Sequence, residues 1–141
     1  MRSRWAWAAS VLLAMGLSSP ASADAEPIVA VTVTNVQPAQ GDIYAALYDQ
    51  RGFSDPVARM RVPATGDAVQ FQFTAPGPGR YAIRLFHDLD ADAVMDVGII
   101  GMPLEPVGFS NDASIQFGPP SFEASAFAVS QEGAAVTIAL H

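Results

Sequence analysis

The sequence predicts an all-β domain, a seven-stranded antiparallel sandwich of immunoglobulin-like or transthyretin-like type. Short segments alternate apolar and polar residues with a period of two, which is the period of a strand with one buried face. Gly, Pro and Asp separate these segments at short intervals, as turns do in sandwiches. No stretch shows a sustained helical period.

The alternation is clearest where Val69, Phe71 and Phe73 share one side of a predicted strand. The predicted strands are 28–36, 43–48, 57–62, 69–74, 80–87, 122–130 and 134–140. We expect the last two to form a hairpin around Glu132-Gly133. The sandwich is expected to span residues 27–141, and the long segment 88–121 should pack over one end or edge of it in ordered form.

The N-terminal region has the three zones of a secretory signal. It opens with Met-Arg-Ser-Arg, continues with an apolar run over residues 5–17 and ends in small residues at 21–23. The run is shorter than the roughly 20 residues that a membrane-spanning helix needs. We therefore expect residues 1–23 to be cleaved after Ala23. The remaining domain, 24–141, would then work in the periplasm or the surrounding medium without a membrane anchor.

The expected mature domain is strongly acidic. The chain has 7 Lys+Arg and 14 Asp+Glu, and two of the arginines precede residue 24, so 5 against 14 leaves a net charge of −9. Such a surface repels phosphate backbones and anionic lipid, so we expect a protein or small-molecule partner and no nucleic acid. The chain has no Cys, so the fold forms without disulfides.

Alternating carboxylates follow the fifth predicted strand. Counted from Asp88, they occupy positions 1, 3, 5 and 9 of a loop, and position 7 supplies a backbone carbonyl, as in calcium loops of EF-hand type. The residues are Asp88, Asp90, Asp92, Val94 and Asp96. Carboxylates this close repel one another, and no Arg or Lys lies in the loop or after it. We therefore predict a bound Ca²⁺.

The loop departs from the EF-hand pattern at two positions. Ala93 stands where Gly usually permits a sharp turn, and Ile99 stands where a bidentate Glu is usual. Glu105 is the nearest later carboxylate, and we expect it to fold back and supply the missing oxygens. The alternative is a solvated turn whose aspartates cap the backbone. Zinc is disfavoured because the chain has no Cys and only one nearby His.

Four motifs give the chain a resemblance to a known family. They are His87-Asp88 with Asp90, Asp92 and Asp96; Gly101-Met102-Pro103-Leu104-Glu105; Gly108-Phe109-Ser110-Asn111; and Gly118-Pro119-Pro120-Ser121-Phe122. On these motifs the chain resembles the exported bacterial family called domain of unknown function 2141. The resemblance implies export but no assigned activity. The family tends to have Asn where this chain has Asp90 and Asp92, so this loop is the more negative one.

The expected function is that of a non-enzymatic exported binding or structural domain whose acidic loop holds calcium. One alternative is a carrier of a small apolar or cationic ligand in a pocket under segment 99–122. A less favoured alternative is a hydrolase with a triad of Ser110, His87 and an Asp. It is less favoured because the chain has no Cys, no Lys and no Gly-x-Ser-x-Gly elbow. We expect His87 to point inward with the core side of its strand. Tyr81 is expected to hydrogen-bond back to the backbone.

Overall fold

A computed structural model of the protein describes residues 25–95, 97–99, 102–115 and 118–141. Its strands are β1 (Ile28–Thr34), β2 (Asp42–Tyr48), β3 (Ala58–Pro63), β4 (Ala68–Thr74), β5 (Gly79–Asp88), β6 (Val107–Phe109), β7 (Phe127–Val129) and β8 (Ala134–Ala139). A four-residue helix, α1 (Phe122–Ser125), and a 3-10 turn (Ser110–Asp112) complete the elements. Within these ranges, no helix has the length and apolar character needed to cross a membrane. The predicted signal, 1–23, lies outside the described residues.

The strands form two sheets, which confirms the predicted all-β sandwich. One sheet has three strands in the order β4-β1-β8. The other has the order β3-β2-β5-β6, and β7 also pairs with β5. All these pairs are antiparallel except β1 with β8, which run parallel.

The core lies between the inner faces of the two sheets, as the alternation predicts. The inward-facing side chains of β1, β2 and β5 that are at most 1% exposed include Val29, Val31, Val33, Ile43, Leu47, Ile83, Leu85 and His87. The inward position of His87 is therefore confirmed. So is the role of Tyr81, whose hydroxyl donates to the carbonyl oxygen of Gly77 at 2.7 Å. The alternate residues of β2 and β5 lie on the outer face of the five-stranded sheet.

The predicted hairpin of the last two strands is wrong. β7 pairs with β5, whereas β8 pairs with β1 in the other sheet, so the two strands lie on opposite sides of the core. A single bridge between Ser130 and Gly133 is what remains of the hairpin. β1 has a buried inner face throughout and needs a partner at each edge, and β8 fills the edge that β4 leaves open. The connection is a corner between sheets.

β6 is the strand that the sequence pattern does not predict, and it lies inside the segment 88–121. It has three residues, too few for a visible alternation. A Cβ at Gly108 would lie 2.6 Å from Cγ2 of Ile138, so only glycine lets β6 approach β8 this closely. Val107 also exchanges backbone hydrogen bonds of 3.1 and 3.0 Å with His141. β6 is thereby fixed against β8 and the C-terminal residue.

Candidate metal centre

The aspartate loop starts where β5 ends against a turn before β2. Gly41 in that turn has φ +64°, and a Cβ there would lie 1.8 Å from the carbonyl oxygen of Asp88. The preceding residue, His87, donates a hydrogen bond from Nε2 to the carbonyl oxygen of Gln40. The turn therefore holds the backbone at the start of the loop, and glycine is required for that approach.

Asp88 organises the loop through its side chain. The residue is 1% exposed, Oδ2 accepts from the N–H of Ala93 at 2.8 Å, and Oδ1 accepts from the N–H of Asp92 at 3.3 Å. Burial by itself would raise the pKa of this carboxyl. The hydrogen bond from Ala93, with further ones from its neighbours, outweighs burial and lowers the pKa of Asp88. The carboxylate form of Asp88 is the one that the loop stabilises.

The sharp turn that EF-hand loops obtain with glycine is present here with alanine. Ala91 and Ala93 have φ angles of 61° and 65°, in the left-handed region. A residue with a Cβ costs roughly 1–2 kcal/mol in that conformation. The hydrogen bonds to Asp88 hold the loop in this shape, so Ala93 at position 6 does not prevent the tight turn.

Glu105 folds back onto the loop, as the sequence-based hypothesis expects. It is 7% exposed, and its Oε1 accepts from the N–H of Leu89 at 2.9 Å. One oxygen each from Asp88, Asp90 and Glu105 lies within 4.8 Å of the other two. Two oxygens bound to one Ca²⁺ at 2.3–2.6 Å are at most about 5 Å apart. This set has the dimensions of a partial calcium shell.

The other predicted ligands are placed differently. Asp92 is exposed, and its Oδ1 accepts from the N–H of Val94 at 2.9 Å. Val94 is 60% exposed. Asp96 lies outside the described residues. Among the six predicted ligands, the structure thus brings together Asp88, Asp90 and Glu105.

The arginine beside the site already has a carboxylate partner. Asp42 lies directly opposite Asp88 on the neighbouring strand, and Nη2 of Arg61 contacts Asp42 at 2.7 Å. The hydrogen bond to Asp42 raises the pKa of Arg61, and the charge of Asp88 adds a smaller effect of the same sign. Arg61 therefore offsets the Asp42–Asp88 repulsion across the strands.

Ser110 has a structural role in the described part of the chain. It is fully buried, its Oγ accepts from the N–H of Ile83 at 2.9 Å, and it donates to the carbonyl oxygen of Ser125. The next residue, Asn111, has φ 62° and donates to the carbonyl oxygen of Ala126 at 2.6 Å. The pair joins the 3-10 turn to β5 and to the end of α1.

A cleft of about 490 Å³ lies beside the carboxylate group. Its lining includes Met102, Glu105, Val107, Phe109, Ile115 and His141. It occupies the position where the carrier alternative places a ligand, under part of segment 99–122. Glu105 belongs to both the cleft and the carboxylate group, so the two features adjoin.

The family comparison agrees with the motifs. A family model described as "Uncharacterized protein conserved in bacteria (DUF2141)" matches residues 31–137, which include β2 to β7, parts of β1 and β8, and the aspartate loop. Searches of curated proteins and of solved structures return no match to the chain. The match spans most of the chain, and the protein therefore belongs to the DUF2141 family.

Proposed function

We propose that this protein is an exported, non-enzymatic β-sandwich domain that binds one Ca²⁺ at its aspartate loop. The observation that supports the proposal best is the arrival of Glu105, 16 residues after Leu89, at the start of the loop. Its carboxylate joins those of Asp88 and Asp90 within 4.8 Å. A solvated acidic turn has no need of a buried carboxylate from another segment.

The donor set favours calcium over other divalent cations. Every candidate ligand is a carboxylate or carbonyl oxygen, and such hard oxygen donors suit Ca²⁺ and Mg²⁺. Mg²⁺ demands a near-ideal octahedron at about 2.0–2.1 Å, whereas Ca²⁺ accepts 6–8 oxygens in a flexible shell. Asp92, the carbonyl of Val94 and Asp96 are the further ligands that we propose.

Calcium would stabilise the junction between the loop and the segment before β6. The ion would cancel the repulsion among carboxylates that the fold holds together. Ligands that bind only the native state stabilise it by RT ln(1 + [L]/Kd), which is about 2.7 kcal/mol at 100 times Kd. For a domain of this size, each kcal/mol moves the melting midpoint by roughly 3–6 °C. Saturating calcium should therefore raise the midpoint by about 10 °C.

Thermal melting of residues 24–141 in chelator and in excess calcium tests the proposal. The wild type should show the rise of about 10 °C with calcium and a much smaller rise with magnesium. Glu105→Gln keeps an oxygen to accept from Leu89 but loses the charge, so most of the calcium rise should disappear. Glu132→Gln, the same change in the exposed turn after β7, should keep it. Equal melting curves in chelator and in calcium would refute the proposal.

Export is proposed from the first 23 residues. Intact mass of the protein recovered from the periplasm or medium should correspond to a chain that starts at Asp24. Retention of the full-length chain in the cytoplasm would contradict this part of the proposal.

A second candidate function, carriage of a small ligand, is favoured by the cleft of about 490 Å³ between the segment 102–115 and the C-terminal residues. Native mass spectrometry of protein purified from its own compartment distinguishes the two. A mass increment of one Ca²⁺ supports the metal proposal. An organic adduct supports carriage if it also slows hydrogen exchange at the amides of Val107 and Ala139.

A further inference from the structure

A second concavity, the arginine groove, lies on the outer face of the five-stranded sheet. Its volume is about 700 Å³, and its lining includes Tyr44, Ala46, Arg59, Arg61, Arg84 and Phe86. It shares no lining residue with the cleft beside Glu105. Neither the family resemblance nor the calcium proposal gives this groove a role.

The groove is basic in a strongly acidic domain. Of the five arginines after residue 23, three line it, and its described lining contains no carboxylate. The expected mature domain as a whole has 14 acidic residues against these five arginines. The groove is therefore a local positive site, which favours an anionic ligand over a neutral or cationic one.

The pleat of the sheet places two arginines on either side of a gap. Ala46 on β2 pairs with Arg59 on β3 and with Arg84 on β5, so the three residues form one row across the outer face. Neighbouring strands are roughly 4.8 Å apart, and the methyl group of Ala46 leaves the space between the two long side chains open. Each guanidinium has five N–H donors in a planar fork that matches a carboxylate.

The guanidinium groups of Arg84 and Arg59 differ in their contacts. Arg84 is held in place, because it donates to the hydroxyl of Tyr48 at 2.8 Å and its Cζ lies 5.1 Å from that ring centroid and 5.5 Å from the centroid of Phe53. Arg59 is exposed, and its guanidinium makes no hydrogen bond or ion pair with any residue in the described part of the chain. One guanidinium is thus pre-positioned, and the other has its donors available.

A stacked aromatic pair adjoins the gap. The rings of Tyr44 and Phe86 are stacked, with centroids 5.4 Å apart and an interplanar angle of 13°. Both residues are half-buried, and they occupy the next outer row of the sheet. Arg61, at the end of that row, is paired with Asp42 and closes the site on the side of the aspartate loop.

We propose that the arginine groove binds a small planar organic carboxylate. Its flat body would pack on Tyr44 and Phe86, and its carboxylate would lie between Arg59 and Arg84. A polyanion is disfavoured because the net charge of −9 repels an extended negative chain. Salt screens charges that are more than about 10 Å apart, so a short ligand interacts mainly with the charges of the groove. Small-molecule sites are typically about 300–1,000 Å³, which includes this volume.

The test is an NMR titration of ¹⁵N-labelled residues 24–141 in chelator with cinnamate and with cinnamamide, its neutral analogue of the same shape. Cinnamate should shift the amides of Ala46, Arg59, Arg84 and Phe86 and bind about tenfold more tightly than cinnamamide. Arg59→Gln should weaken cinnamate about tenfold. Arg51→Gln makes the same charge change in an arginine already paired with Asp49, and it should leave cinnamate affinity unchanged.

Chelator keeps the titration independent of the calcium proposal. Failure of cinnamate to bind, equal affinity for the acid and the amide, or equal effects of Arg59→Gln and Arg51→Gln would overturn the proposal. Shifts confined to Val107, Phe109 and Ala139 would also overturn it, because the ligand would then occupy the cleft beside Glu105.

Discussion

The aspartate loop and the arginine groove are neighbours on one face of the same sheet, and they hold opposite charges by different means. Ala93 and Met95 of the loop line the groove, so the two regions touch. In the loop, backbone N–H groups hold the carboxylate of Asp88. In the groove, tyrosine and phenylalanine rings hold Arg84.

The difference between the two regions concerns what each one lacks. The loop brings three carboxylate oxygens within 4.8 Å of one another, and the nearby Arg61 is paired with Asp42. We propose that a cation from solution binds these carboxylates and offsets their mutual repulsion. The groove has aromatic partners for the guanidinium of Arg84 and no described partner for that of Arg59, and we propose that an anion from solution binds there. Substitutions that weaken the contacts of one region at a time therefore distinguish the two.

The largest effect is expected at the backbone support of the loop. In Gly41→Ala, the added Cβ meets the carbonyl oxygen of Asp88 at 1.8 Å and the residue keeps φ +64°. Left-handed backbone costs roughly 1–2 kcal/mol and an overpacked contact roughly 1–3 kcal/mol, so the free energy of unfolding should fall by about 3–4 kcal/mol.

Urea denaturation measures this loss, and Gly52→Ala is the matched control. Gly52 has φ +95° with nothing within 4 Å of the added Cβ, so only the conformational cost applies there. Equal losses in the two variants would show that the contact between Gly41 and Asp88 does not hold the loop.

A smaller effect is expected at the aromatic support of the groove. Tyr48→Phe keeps the ring under Arg84 but removes the hydroxyl that accepts its 2.8 Å hydrogen bond. Tyr48 is 4% exposed, so the loss should be about 1 kcal/mol in urea denaturation. Cinnamate affinity should also fall, because Arg84 loses a fixed orientation. Unchanged affinity together with reduced stability would place the carboxylate away from Arg84.

The smallest effect is expected at an arginine that already has its anion. Arg51 donates to Asp49 at 2.9 Å, and this side-chain hydrogen bond, aided by the N–H of Arg51, lowers the pKa of Asp49. A lowered folded-state pKa contributes stability above the unfolded value of about 3.9 and loses it as the pH falls through the folded value. Because the pair is exposed, Asp49→Asn should cost only a few tenths of a kcal/mol at neutral pH.

Denaturation at neutral pH and at about pH 2 checks this prediction, because the difference between wild type and Asp49→Asn should vanish in acid. A difference that persists at low pH would mean that Asp49 acts through shape or hydrogen bonding of the neutral form.

The sequence predicted the fold class and part of the site for physical reasons that are visible in single residues. Alternation fixed the inner face of β1 and β5, and therefore the burial of Val31, Ile83 and His87. The spacing of the aspartates located the loop, and the lack of a twelfth-position glutamate pointed to Glu105, which the fold does bring to Leu89.

The remaining features depend on tertiary contacts that local pattern does not encode. The local turn at Glu132-Gly133 suggested a hairpin. β8 instead pairs in parallel with β1, whose open edge belongs to a distant part of the chain. β6 has only three residues. The arginine groove arises because Arg59 and Arg84, far apart in sequence, pair with the same residue, Ala46. Strand register was needed to reveal it.

Calorimetric titration of calcium into chelator-treated residues 24–141 tests the central claim most directly. We predict one Ca²⁺ per chain, with heat that is mostly lost in Glu105→Gln and in Asp90→Ala but persists in Glu132→Gln. Magnesium should bind much more weakly. The absence of calcium heat in the wild type, or equal binding by wild type and Glu105→Gln, would contradict the assignment of the aspartate loop as a calcium site.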